Sequence, residues 1–371
     1  PLYNVLVKEK KLTTSVSGRN RSLERAGTFT FSATANPGVG LTDIENAIFE
    51  GLERFETEGF SEEDLMRIKA GYETRYYNSF SSVQGKAFTF AEYNMYTGDP
   101  GYYKKDLDNA LAVTSEDIMA AYNKYIKGQN YVATSFVPKG KLDLVAENSV
   151  SAGIVEEDLA SAAEVVVGDI VEEEVVKSET TFDRTVKPPY GPDPEISVPD
   201  VWTASLDNGI NIWGIKHTEL PLVDYGLVID GGHMLDKLDK AGTANLLSTM
   251  LSAGTANKTP EELEDAIKML GASIRISAGN ESINISVSCL NKYFEETIAL
   301  VEEMLLEPRW DEEEFDIAKR RVINSFRRLK SNPSMLARQT MNELIFGESI
   351  LGISTSGNET TVPEITMDDL K

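Results

Sequence analysis

A chain of 371 residues, 41% apolar and 26% charged, is long enough for two domains and a sizeable core, and has the make-up of ordinary globular material. Its 36 Lys and Arg against 60 Asp and Glu leave a net charge of −24, which speaks against nucleic acid and anionic membrane surfaces as partners. No apolar run has the length of a spanning helix, so no membrane insertion is expected, and the single cysteine, Cys289, excludes an internal disulfide.

Leu2 to Lys10 reads as the end of a helix. Leu12 to Gly18 and Gly27 to Ala35 alternate as strands do. A helix from Asp43 carries Ile44, Ile48, Leu52 and Phe55 at helical spacing and ends at Gly59. Ser61-Glu-Glu-Asp64 is a capping-box start for a helix to about Tyr77. Further helices are expected over Val83–Tyr96, Lys104–Leu111 and Ser115–Tyr125, then a strand over Tyr131–Val137. From Lys141 to Pro199 the composition shifts. Acids cluster at Glu156–Asp158 and Glu172–Glu174, and prolines gather toward Pro199, as in an extended connection along a surface, with a fully disordered linker as the alternative.

The second block opens with strands Trp202–Leu206 and Ile210–Ile215 around Asn208-Gly209, a preferred hairpin turn. A strand over Leu222–Ile229 ends at Gly231-Gly232. Thr259-Pro-Glu-Glu262 caps a helix to Leu270, with Thr as N-cap and Pro at the first helical position. Ser273–Ala278 and Ser282–Cys289 pair as strands, the latter burying Cys289 as an inert thiol. Helices follow over Tyr293–Leu306, with Phe294, Ile298, Val301 and Leu305 as the buried stripe, then over Asp311–Lys330 and Ser334–Phe346.

The two blocks repeat each other. Phe60–Lys69 aligns with Trp310–Lys319, and Thr114–Ile118 with Thr366–Leu370, at offsets of 250 and 252 residues. One α+β unit is duplicated. Both ends of the chain are expected to be cut: it starts at Pro1 and stops at Asp369-Leu370-Lys371, inside the start of a helix.

Lys240–Thr255 holds the most informative pattern. It reads as a short helix with Ala244, Leu247, Met250 and Leu251 on one face and Gly254 as its stop. It resembles the signature helix of the pitrilysin/insulinase family of zinc peptidases, G-x-A-H-x-x-E-H-M-L-x-x-G-T, at Gly242, Ala244, Met250, Leu251, Gly254 and Thr255. Where that family places two zinc-binding histidines, this chain has Asn245 and Thr249, and the position of the catalytic glutamate holds Ser248. The family's third ligand, a glutamate on a later helix, is replaced by Ser325 in Val322–Pro333. Imidazoles at i and i+4 share a helix face and can grip one zinc while the intervening Glu takes a proton from bound water. Asn, Ser and Thr supply neither function at neutral pH. No catalytic, cofactor-binding or metal-binding residue is therefore expected in this chain.

The resemblance covers nearly all of the chain outside the connection. It implies an α+β fold of two homologous domains, each a mainly antiparallel sheet packed with helices, as in the mitochondrial processing peptidase-like metallohydrolases. Residues 1–140 resemble the family's second domain, entered partway, through Leu2-Tyr3, Thr13–Ser17, Pro37-Gly38 and Val113–Asp117. Residues 141–199 are the connection. Residues 200–371 resemble a C-terminally shortened third domain through Leu206-x-Asn208-Gly209, Gly231-Gly232, Leu270-Gly271, Glu307-Pro308, Pro333 and Gly357.

The resemblance further implies a non-catalytic middle part of a zinc metalloendopeptidase. It would build the chamber wall and help hold a peptide or unfolded polypeptide, with the remaining domains of the parent chain as partners and zinc bound in an upstream domain. The alternative is an inactive scaffold of the same fold, like the core proteins of mitochondrial respiratory complex III. The compartment stays open between cytoplasmic and extracytoplasmic bacterial settings.

Other candidates carry less. His217 and His233 have no second ligand at zinc spacing and read as surface or turn residues. Glu62-Glu63 and Glu312-Glu313 suit first helical turns, where they complement the helix dipole. Arg320-Arg321 and Arg327-Arg328 are expected on solvated or salt-bridged faces.

Overall fold

A computed structural model describes residues 1–151, 153, 183, 185–187, 191–192, 198–329 and 332–371. The acidic clusters of the expected connection lie outside these residues. By contacts the chain forms two compact units. One is Pro1–Gly18, Phe31–Glu53 and Val132–His217; the other is Arg19–Thr30, Arg54–Tyr131 and Thr218–Lys371. These units do not coincide with the divisions expected at 140 and 200.

In the first unit, a helical turn (Asn4–Glu9) and the start of α1 (Leu41–Glu58) bury Val5, Leu6, Ile44 and Ala47. Val16 of β1 (Thr13–Ser22) and Ala33 and Ala35 of β2 (Gly27–Ala35) pack on this core. β3 (Val201–Ser205) pairs antiparallel with β4 (Asn211–Ile215) across the expected Asn-Gly turn, setting Trp202 opposite Gly214. Tyr131–Val137 is not a strand. Its β-favouring composition is not enough, because a strand needs a ladder partner and the described strands provide none there.

The second unit holds α2 (Glu62–Ser79), α3 (Val83–Thr97), α4 (Tyr103–Ala112) and α5 (Ser115–Tyr125). It continues with β5 (Leu222–Asp230), α6 (Thr243–Met250), α7 (Pro260–Met269), β6 (Ser273–Ala278) and β7 (Ser282–Leu290). It ends with α8 (Phe294–Leu306), α9 (Glu312–Leu329) and α10 (Pro333–Phe346). The sheet runs β5-β7-β6, antiparallel throughout. The architecture is α+β with small antiparallel sheets.

Alternation along these strands puts Leu227, Ile276, Ile285 and Val287 on the face that meets Val301 and Leu305 of α8. Leu263 of α7 packs with Leu300 and Met304 of the same helix. The buried stripe of α8 is therefore Thr297, Leu300, Val301 and Met304, and Ile298 of the expected stripe is exposed. The reason is that α8 serves two neighbours, so its apolar face is centred between sheet and α7.

α2 packs on α7 across the length of the second unit's sequence. Arg67 bridges Asp64 and Asp265, the Thr74 hydroxyl donates to the Gly271 carbonyl at 2.8 Å, and Lys292 pairs with Glu73 at 2.7 Å. Between α2, α3 and α4, the rings of Tyr76, Phe80, Phe90 and Tyr103 cluster, and the Tyr72 and Tyr93 hydroxyls both donate to Asp106.

The segments aligned in sequence have similar helix caps. Thr114 with Asp117 and Thr366 with Asp369 each form a capping box. Ser61 with Asp64 does the same, and at the equivalent place Asp311 accepts from the Glu313 and Glu314 amides.

Candidate functional site

The site to test is α6, where the sequence pattern and the expected chemistry part company. Its entry is built by the turn after β5. His233 lies in that turn as expected, but it is 1% exposed and not on the surface. Its Nε2 lies 2.9 and 3.0 Å from the carbonyl oxygens of Ile350 and Ile353, and its Nδ1 lies 3.0 Å from Asp236 Oδ2. Carbonyls and a carboxylate only accept, so both ring nitrogens must donate and the ring is satisfied as imidazolium. Burial opposes that charge. The hydrogen bond to Asp236 and those to the two carbonyls outweigh it and raise the His233 pKa above its ordinary value.

Asp236 then caps α6. Its Oδ2 accepts from the Gly242 amide at 2.8 Å and its Oδ1 from the Ala244 amide at 3.0 Å. Two of the first-turn donors that a helix leaves unpaired are thereby met by one carboxylate. Lys240, just upstream, donates to both carboxylate oxygens of Asp369 at 2.6 Å and ties the same entry to the C-terminal turn.

α6 ends at Met250, with a turn before Gly254. It packs by Leu246 and Met250 against Phe315 and Ala318 of α9, and against Val362, Ile365, Met367 and Leu370. Thr255 is fully buried, and its hydroxyl donates to Glu303 Oε1 of α8 at 2.6 Å. Asn257 and Lys258 donate to the same carboxylate. The Lys258 hydrogen bond, then that of Thr255, holds the Glu303 pKa below its ordinary value. Neither His233–Asp236 nor Glu303 was singled out by sequence. The signal for the first was an Asp six residues ahead of Gly242 with a His three residues before it; Glu303 had none, because its partners come from another element.

Glu303→Ala is expected to lower the unfolding free energy by about 2 kcal/mol, since it leaves the proton of the buried Thr255 hydroxyl without its acceptor and removes a charge-assisted partner of Lys258. Because the folded pKa is depressed, the contribution is present above the unfolded value of about 4.3 and lost as pH falls through the folded one. Urea titration of both proteins at pH 7 and pH 4 would check it: the difference between them should shrink at the lower pH.

The four positions corresponding to the family's zinc chemistry are placed as follows. Asn245, Ser248 and Thr249 lie within one stretch of α6, and Ser325 lies on α9, which packs on α6. Ser248 is buried and its hydroxyl donates to the Ala244 carbonyl at 3.0 Å; that of Thr249 donates to the Asn245 carbonyl at 3.0 Å. Both hydroxyls are turned back on their own helix, a common fate of Ser and Thr in helix interiors. Asn245 and Ser325 are half-buried. Among the described residues no hydrogen bond joins Ser325 to the other three. An amide and three hydroxyls contain no imidazole, thiolate or carboxylate, so this donor set does not fit zinc. Among the described residues, no group of three or more His, Cys, Asp and Glu side chains is placed to hold a metal ion.

The remaining candidates are placed as follows. Cys289 is buried, and burial raises its thiol pKa. His217, Arg320 and Arg321 are exposed, and Glu62 and Glu312 sit in first helical turns. Arg327-Arg328 have no described side chains.

Residues 215–359, which contain α6 and the His233–Asp236 cap, match the family model described as Insulinase (Peptidase family M16). Residues 1–72 match the one described as Peptidase M16 inactive domain. The chain belongs to the M16 peptidase family.

Within the M16 family it is similar to the Non-peptidase homolog YmxG of Helicobacter pylori, 23% identical over 41% of this chain and 35% of that protein. It is also similar to a probable mitochondrial-processing peptidase subunit beta of Arabidopsis thaliana, 20% identical over 47% of this chain and 33% of that protein. The chain thus spans about a third of the length of these relatives. Among solved structures, a peptidase M16 inactive domain from Pseudomonas fluorescens aligns with 46% of this chain and 42% of that one, at 24% identity and a TM-score of 0.44. Among the described residues, no helix is long and apolar enough to cross a membrane.

Proposed function

We propose that this chain is a non-catalytic part of an M16 zinc metallopeptidase. Residues 1–140 serve as a second-type domain and 200–371 as a third-type domain, joined by the connection over 141–199. Together they wall the chamber and help hold a peptide or unfolded polypeptide, while hydrolysis belongs to a domain with an intact His-x-x-Glu-His helix outside residues 1–371. One observation carries the reading. α6 is capped by Asp236, packed on α9 and followed by the Gly254-Thr255 ending of the family pattern, while Asn245, Ser248, Thr249 and Ser325 offer neither a zinc ligand nor a general base. The scaffold is maintained without the chemistry it carries elsewhere in the family.

A second reading, an inactive scaffold subunit, is favoured by the similarity to a protein named as a non-peptidase homolog.

The test has two arms. Metal analysis of the purified chain after dialysis should find zinc well below one per chain; one tightly held zinc would refute the vacancy of α6. Cleavage of an unstructured peptide library should be nil for the chain alone, and should rise when it is joined to the zinc-bearing domain of its own protein. The expected gain is large, because misplacing a substrate by ~1 Å can cost ~10²-fold in rate. Full activity of the zinc-bearing domain by itself would sink the wall role, and no activity in any combination would favour the scaffold.

A further inference from the structure

The β5-β7-β6 sheet has two unlike faces. One is packed against α6 and α8. The other forms an open trough of about 500 Å³ lined by Asp224, Gly226, Ser273, Arg275, Ser286 and Ser288. The register explains its shape. Gly226 faces Ser286, which faces Arg275; Asp224 faces Ser288, which faces Ser273. The floor is therefore a hydroxyl-lined band of small residues, with an acid on one outer strand and a base on the other. Among the described residues Asp224 and Arg275 form no ion pair. They are held apart by β7: two strand spacings of about 4.8 Å and a two-residue offset of about 6.8 Å place their Cα atoms on the order of 12 Å apart. None of the three serine hydroxyls has a hydrogen-bond partner within the described protein, whereas the buried hydroxyls of Ser248, Thr255 and Thr297 on the helical side all do.

We propose that this face binds an extended peptide segment carrying a cationic and an anionic residue about four positions apart. In an extended peptide, residues i and i+4 point to the same side and lie about 13–14 Å apart, close to the separation of the two protein charges. The cation sits over Asp224 and the anion over Arg275, and the small residues between them lie against the floor, where the serines and the Gly226 backbone leave room. The inference rests on the peptide-holding role proposed above and gives that role a place and a sequence preference.

The experiment uses the whole chain and fluorescein-labelled, end-blocked peptides with a Lys-Ser-Ala-Ser-Glu core, in both chain directions. Matched peptides carry Gln for the Lys or for the Glu, and binding is read by fluorescence anisotropy at low salt. The variants are Asp224→Asn and Arg275→Gln, both at exposed positions. The wild-type chain should prefer the doubly charged peptide over either neutralised one by about 1.5- to 5-fold, the range of exposed charge pairs. Asp224→Asn should abolish the preference for Lys and keep that for Glu; Arg275→Gln should do the converse. If both variants discriminate among the peptides as the wild type does, the trough is not the site, although peptide holding stands. If the wild-type chain binds none of them, the trough proposal falls; binding of a longer unstructured polypeptide in the same assay then decides whether peptide holding falls with it.

Discussion

Asp236→Ala is expected to lower the unfolding free energy by about 3–5 kcal/mol, the range for removing one partner of a buried charge pair. The side chains of His233 and Asp236 are 1% and 4% exposed. Deleting the carboxylate leaves a buried imidazole beside an empty space and strands the Gly242 and Ala244 amides at the entry to α6. Urea denaturation at pH 6.5 would measure it, and a loss below about 1 kcal/mol would contradict the capping role.

The same pair makes stability depend on pH. The folded pKa of His233 lies above its unfolded value of about 6.5. The folded state therefore holds the proton to higher pH than the unfolded state does. The pair's contribution is fully present below about 6.5 and is lost as pH rises through the folded value. Asp236→Asn, which keeps one acceptor and removes the charge, should flatten that fall. Equal slopes for wild type and variant between pH 6 and pH 9 would show that His233 is not the group responsible.

Gly271→Val is the second large effect. Gly271 has φ +58°, and a Cβ there would meet the Thr74 hydroxyl at 2.6 Å and the Ala70 carbonyl at 2.7 Å. The residue would pay backbone strain of about 1–2 kcal/mol and overpacking of about 1–3 kcal/mol at the α2–α7 contact. A total loss of about 2–5 kcal/mol follows, concentrated on α2. Amide hydrogen exchange should rise across Ala70–Thr74 before it rises in β7. Gly98→Ala is the control: its φ is +74° with nothing within 4 Å of an added Cβ, so it should show the strain alone. Equal losses at the two sites would mean that the α2–α7 contact is not the cause.

The contrast between these sites and the readable ones has a physical basis. The caps at Ser61, Thr114 and Thr259 were legible because a capping box is closed by residues three positions apart. The β3–β4 hairpin was legible because an Asn-Gly turn sets its register locally. The strand expected over Tyr131–Val137 failed because strand formation is settled by a partner and not by composition. The stripe on α8 was displaced for a related reason: periodicity reports that a helix has an apolar face, while the packing of sheet and α7 decides where its centre lies.

The candidate site divides in the same way. Sequence by itself determined the family pattern of α6 and the residue types at Asn245, Ser248, Thr249 and Ser325, because ligand chemistry is a property of the side chain. It could not determine that His233 is buried between Asp236 and the carbonyls of Ile350 and Ile353, more than a hundred residues away in the chain. Nor could it show that α2 rests on α7, or that Asp224 and Arg275 share one open face of a sheet. Caps and turns are closed within a few residues, so local sequence specifies them. Burial, charge pairing and the faces of a sheet depend on which distant segments meet, and only the tertiary structure decides that.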